Sequence, residues 1–86
     1  MDHPSEKIII YGTEWCGDCR RARRLLDQHN IPYQWINIDR DREAERFVLA
    51  NNGGMRSVPT IVFPDQSILV EPSSHLLAKK LDIQYP

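Results

Sequence analysis

The sequence predicts a single α/β domain with its elements in the order βαβαββα. Three observations lead there. The β-branched run Ile8-Ile9-Ile10-Tyr11 is followed within a few residues by a stretch with helical spacing of its apolar positions. A second aromatic and β-branched run, Tyr33 to Ile38, is followed in the same way. Two short apolar runs, Thr60 to Phe63 and Ser67 to Val70, are then separated only by Pro64-Asp65-Gln66, a connection of hairpin length that makes them antiparallel.

Residues 1–7 are polar, contain Pro4, and read as a flexible tail, so the domain is expected over residues 8–86. Strand one ends at Gly12, and from Gly17 the positions Cys19, Ala22, Leu25, Leu26 and His29 recur at three- and four-residue spacing. Arg20, Arg21, Arg23, Arg24 and Asp27 cover the remaining faces, and Asn30-Ile31-Pro32 stops the helix. After strand two, either Asp39 or Asp41 is suited to cap a second helix whose inward stripe is Ala44, Phe47 and Val48. Asn52-Gly53-Gly54 tolerates the left-handed conformations that end a helix. Ser73 caps the last helix, in which Leu76, Leu77 and Leu81 are expected to face inward and Lys79 and Lys80 to meet the negative end of the helix dipole. Strands one and two, joined by a helix, must run parallel, which brings the end of strand one and the start of the first helix to the edge where open α/β sheets bind ligands.

Composition narrows the function. A chain of 86 residues with 41% hydrophobic and 27% charged residues has the balance of an ordinary soluble domain. A formal charge of -1 and an isoelectric point near 6.3 provide no field to attract nucleic acid or an anionic membrane. The run Ile8 to Tyr11 is too short for the core of a secretory signal, and nowhere do ~18 apolar residues run together, so the cytoplasm is the expected compartment.

Cys16 and Cys19 are separated by two residues, so a bridge between them closes a tiny loop and removes little unfolded-state entropy. Such a pair serves chemistry or a metal. Structural zinc takes four ligands, and the only histidines, His3, His29 and His75, are scattered along the chain, so no metal site is expected. Thiol–disulfide exchange needs a thiolate, and a cysteine with pKa near ~7 is roughly tenfold richer in it at neutral pH than one near ~8.5. Free backbone N–H groups at the start of the first helix favour an anion on Cys16, which is therefore expected to be the exposed nucleophile. Cys19, one turn further in, is expected to be buried, protonated and second to attack. Gly17 keeps the turn narrow and admits a substrate to the backbone, whereas the Asp18 carboxylate opposes thiolate formation. Arg20 and Arg24 are available to offset it, although a solvated arginine face is the simpler reading of them. Trp15 either covers the thiols and lines the substrate site or is a half-buried packing residue; Trp35 and Phe47 read as core. Val58-Pro59 at the mouth of a strand would by itself read as an ordinary trans proline; paired with an upstream Cys-x-x-Cys after a strand, it reads as a cis peptide that leaves Val58 backbone groups free to pair with a substrate.

The stretches Tyr11-Gly12-Thr13-Glu14-Trp15-Cys16-Gly17-Asp18-Cys19 and Arg56-Ser57-Val58-Pro59-Thr60, on a βαβαββα frame, resemble the glutaredoxin-like proteins of the thioredoxin fold, from Lys7 to about Leu81. Asn52 to Thr60, continuing through Asp65, Ser67, Leu69, Pro72 and Ser73, is most similar to the mycoredoxins, which reduce mixed disulfides between proteins and mycothiol. The resemblance implies a four-stranded mixed sheet with three helices, the minimal thioredoxin fold. It also implies a nucleophile at Cys16, a resolver at Cys19 and substrate contacts at Trp15, Gly17, Asp18, Arg56, Val58 and Pro59. No cofactor is bound on this reading. The co-substrate is a low-molecular-weight thiol, mycothiol or glutathione; the partners are disulfide-containing or S-thiolated proteins and a flavoprotein disulfide reductase; and the protein is a monomer. Two departures bear on the thiol. Glutathione-using relatives commonly carry a basic residue before the cysteines and Gly-Gly-x-Asp after the fourth strand, where this chain has Thr13-Glu14 and Val70-Glu71-Pro72-Ser73-Ser74. A tight glutathione-specific site is not implied. The alternatives are a dithiol donor to an enzyme such as ribonucleotide reductase, recharged by a thioredoxin-reductase-like flavoprotein, and an iron–sulfur or metal-binding module.

Overall fold

The computed structural model describes residues 7–85. The expected tail therefore lies, apart from Lys7, outside the described residues, as does Pro86. The elements are β1 (Ile8–Gly12), α1 (Gly17–Gln28), β2 (Tyr33–Asn37), α2 (Arg42–Asn51), β3 (Thr60–Val62), β4 (Ile68–Val70) and α3 (Ser74–Leu81), the predicted order. They form one four-stranded sheet in the order β2-β1-β3-β4. β1 pairs parallel with β2, in the register Ile8 to Tyr33, and antiparallel with β3, which pairs antiparallel with β4. β2 stops one residue short of the expected Ile38, yet the Ile38 amide still donates to Gly12 O at 2.9 Å, so the ladder's last bond survives the end of the strand.

Alternation along β1 sends side chains to two unequal cores. Ile8, Ile10, Ile61 and Phe63 meet Ala22, Leu25 and Leu26 of α1 and Leu77 and Ala78 of α3 on one face. On the other, Ala44 and Val48 of α2 close over Ile38, with Tyr11, Ile36 and Val58 packed around them. The sheet is thus sandwiched between α1 with α3 and α2 alone.

Local chemistry sets the helix ends. Asp41, not Asp39, caps α2 by accepting from the Ala44 amide at 3.0 Å, and Ser73 Oγ accepts from the Leu76 amide at 3.1 Å to start α3. After α2, Gly53 and Gly54 take φ of +62° and +89°, which lets the Gly54 amide return to Leu49 O at 2.7 Å. Three expected inward positions differ. Leu76 is 47% exposed because Leu77, Ala78 and Leu81 form the stripe that faces the core, and the residue before Leu77 is turned about 100° away from it. Phe47 is half-exposed and lies across the Tyr11 ring, centroids 4.9 Å apart, at the rim of the smaller core. His29 sits exposed just past the end of α1, where Asn30 adopts φ 55° and breaks the helical spacing.

Candidate active site

Cys16 is the N-cap of α1, with extended backbone, and its Sγ accepts the Cys19 amide at 3.1 Å. A sulfur in this place takes one of the hydrogen bonds that the helix cannot satisfy internally and lies at the positive end of the helix dipole. The Val58 carbonyl is 3.8 Å from the same sulfur, so the loop before β3 forms the opposite wall. Val58-Pro59 is cis, as the sequence predicts, and Pro59 is fully buried rather than set in the expected substrate-contact surface. Cys16 itself is not the exposed thiol expected: only 7% of its surface is accessible, because Val58 and the first turn of α1 close around it. It lies instead on the wall of a cavity of about 530 Å³ that opens to solvent.

Cys19 is fully buried. Burial, reinforced by its hydrogen bond to the Cys16 sulfur, pushes its thiol up to about 12, against smaller opposing contributions from the Thr13 backbone and the Arg23 charge. Both thiols are free. A side chain on Gly12 would come within 2.6 Å of Cys19 Sγ and 2.7 Å of the Trp35 ring, so this glycine is the bed on which the inner cysteine and the indole rest. Arg23 in turn stands 4.2 Å above the Trp35 ring.

Comparison with known proteins decides what this arrangement belongs to. The Glutaredoxin family profile matches residues 8–68. The chain belongs to the glutaredoxin family. A protein of Mycobacterium tuberculosis strain H37Rv named as a glutaredoxin is 42% identical over 74 residues, covering 86% of this chain and 88% of that one. Mycoredoxin 1 of Corynebacterium glutamicum is 36% identical over 73 residues, covering 84% and 90%. Among solved structures, the glutaredoxin of Archaeoglobus fulgidus superposes with a TM-score of 0.74 at 21% identity, over 88% of this chain and 86% of that one, which establishes the shared fold. As a glutaredoxin, the chain is a thiol–disulfide oxidoreductase.

Of the residues singled out in the sequence, this glutaredoxin brings Trp15, Cys16, Gly17, Asp18, Arg56 and Val58 together around the cavity, with Pro59 buried behind it. Met55, Ser57 and Glu71 line it as well; they lie in segments singled out in the sequence but are not among the expected substrate contacts. Met55 and Ser57 flank Arg56 and follow from a loop rather than a motif. Glu71 arrives from the far end of β4 through its own amide, which donates to Pro59 O at 2.8 Å. Trp15 is 66% exposed, which removes the packing alternative, and its Nε1 donates to Asp39 Oδ2 at 3.2 Å. Asp39 also accepts from Arg56 Nη2 at 2.5 Å, while Arg56 Nε donates to Glu45 at 2.7 Å. The Arg56 hydrogen bond, with a smaller contribution from Trp15, holds the Asp39 carboxyl below its usual range. Asp18 pairs with Arg21 and not with Arg20 or Arg24, because an aspartate in the first turn faces the residue three positions on. Among the described residues no helix is long and apolar enough to cross a membrane.

Proposed function

We propose that this glutaredoxin reduces mixed disulfides between proteins and a small thiol of the mycothiol type through Cys16-Gly17-Asp18-Cys19, working as a monomer in the cytoplasm. The observation that carries the reading is the division of labour between the sulfurs. Cys16 Sγ lines an open cavity and accepts the Cys19 amide at 3.1 Å, whereas Cys19 is fully buried and its thiol is pushed up to about 12. One sulfur meets the substrate side from the positive end of the helix dipole, and the other holds its proton until a neighbour needs displacing.

In the first step the Cys16 thiolate attacks the small-thiol sulfur of the mixed disulfide. That S–S bond breaks, and the protein sulfur leaves and is protonated. In the second step either another small thiol attacks the conjugate on Cys16, or Cys19 gives up its proton and displaces the small thiol, leaving a Cys16–Cys19 disulfide that a flavoprotein reductase returns to the dithiol. Trp15, Gly17, Asp18, Arg56 and Val58 shape the approach, and the Val58 backbone offers the incoming chain a pairing edge. Similarity to Mycoredoxin 1 supports the mycothiol-type thiol, as does Glu71-Pro72 where glutathione-using relatives carry Gly-Gly.

Cysteine variants test the reading. Cys16→Ser is expected to abolish turnover of every mixed disulfide, and Cys19→Ser to retain substantial turnover of small mixed disulfides, because a second small thiol replaces the resolver. Complete loss in Cys19→Ser transfers the assignment to a strict dithiol donor.

A further inference from the structure

The walls of the cavity beside Cys16 carry an unusual balance of charge. Asp18 stands on one side and Glu71 on another. Arg56 is the only cation among the described residues that line it, and it is already engaged with Asp39 and Glu45. One guanidinium against two carboxylates leaves an excess of negative charge at that rim, to which Glu71 adds. Asp18 is matched by Arg21. A substrate carboxylate entering here meets no unengaged cation of the lining and at least one unmatched anion.

Glu71 is also held in place at a conformational cost. Its φ of 50° lies in the left-handed region, which glycine enters freely and a residue with a Cβ does not. The bond from its amide to Pro59 O at 2.8 Å ties that backbone to the segment behind Cys16. A charged side chain kept at a position suited to glycine, on the wall of the reacting cavity, is a local outlier that points to a role in the site.

We infer that Glu71 is a specificity-determining residue, which makes the cavity favour conjugates of thiols without carboxylates and disfavour anionic thiols such as glutathione. This rests on the assignment of Cys16 as nucleophile. The acid acts on the approach and seating of the conjugate, where a like charge lowers both encounter rate and occupancy.

The test oxidises the reduced full chain with cystamine, hydroxyethyl disulfide and glutathione disulfide, which are cationic, neutral and anionic. In each reaction Cys16 displaces one thiolate and Cys19 the second. Two electrons pass to the disulfide, two thiols leave carrying the dithiol's protons, and the protein gains one S–S bond. Rates are read by acid quench and separation of alkylated from oxidised protein. Raising ionic strength from about 0.01 M to about 1 M shortens the screening length from ~30 Å to ~3 Å. Wild type is then expected to react faster with glutathione disulfide and slower with cystamine. Glu71→Gln is expected to raise the rate with glutathione disulfide, relative to hydroxyethyl disulfide, about threefold, and Glu71→Lys about tenfold. Glu71→Gly suits the left-handed backbone and keeps the comparison available should the larger substitutions disturb the fold. Ratios unchanged in these variants, whatever the salt dependence of wild type, overturn the inference alone. No oxidation of wild type by any of the three disulfides overturns the Cys16 assignment and the inference with it.

Discussion

Gly12 shows how little tolerance there is around the inner sulfur. A methyl group there would lie 2.6 Å from Cys19 Sγ and within 2.8 Å of two Trp35 ring carbons, well inside contact distance. Gly12→Ala should therefore cost about 1–3 kcal/mol, the usual range for overpacking, visible as a lower urea midpoint with an unchanged slope. It should also slow closure of the Cys16–Cys19 disulfide, since the added methyl would press directly on Cys19 Sγ. In the sequence Gly12 reads only as a strand end, because nothing local says that Trp35, some twenty residues on, will return to it. The cysteine pair was legible because its chemistry is written in neighbouring residues, and Val58-Pro59 because it follows such a pair further along the chain. The segment holding Glu71 was legible through the resemblance, but its place on the cavity wall was not, because Glu71 arrives only when β4 folds back beside the loop before β3. The recess of Cys16 escaped notice for the same reason: the carbonyl that covers it belongs to Val58.

The helices depend on single side chains at their starts. Asp39 and Asp41 are equivalent as capping candidates in the sequence, and the structure separates them into two occupations. Asp41 completes α2, while Asp39 fastens the Trp15 loop to Arg56. Asp41→Ala is expected to lower global stability by about 1 kcal/mol in chemical denaturation, the usual cost of losing a cap. Asp39→Ala should leave that value nearly unmoved, since its ion pair is exposed. Equal losses in the two variants would contradict the division. At α3 the cap was legible from Ser73, but the inward face was not: three leucines in Leu76, Leu77 and Leu81 compete for it, and the choice is made by α1, against which Leu77 and Ala78 close.

Over the whole molecule, the order of elements and the parallel pairing of β1 with β2 followed from hydrophobic pattern and the handedness of crossovers. The lateral order β2-β1-β3-β4 was not legible, since pattern alone does not say which edge a hairpin joins, and the resemblance implied only a four-stranded mixed sheet. The buried dithiol also affects the global stability curve. The Cys19 thiol has an ordinary value of 9.0 and is raised to about 12 by folding, so between these pH values the unfolded chain releases a proton that the native one keeps. Stability of the reduced protein is thus fully present below about pH 9 and is lost as pH climbs toward 12, by up to about 1.4 kcal/mol per pH unit. Cys19→Ala should flatten that part of the profile relative to wild type; parallel curves would mean that the inner thiol ionises as readily folded as unfolded. The two tryptophans have one more property as a pair. Trp15 stands in solvent next to Cys16 in sequence, and Trp35 shares its glycine bed with Cys19. Each sulfur thus has an indole nearby, and making or breaking the S–S bond should register as a change in ultraviolet emission, a fluorescent reporter of oxidation that needs no attached dye.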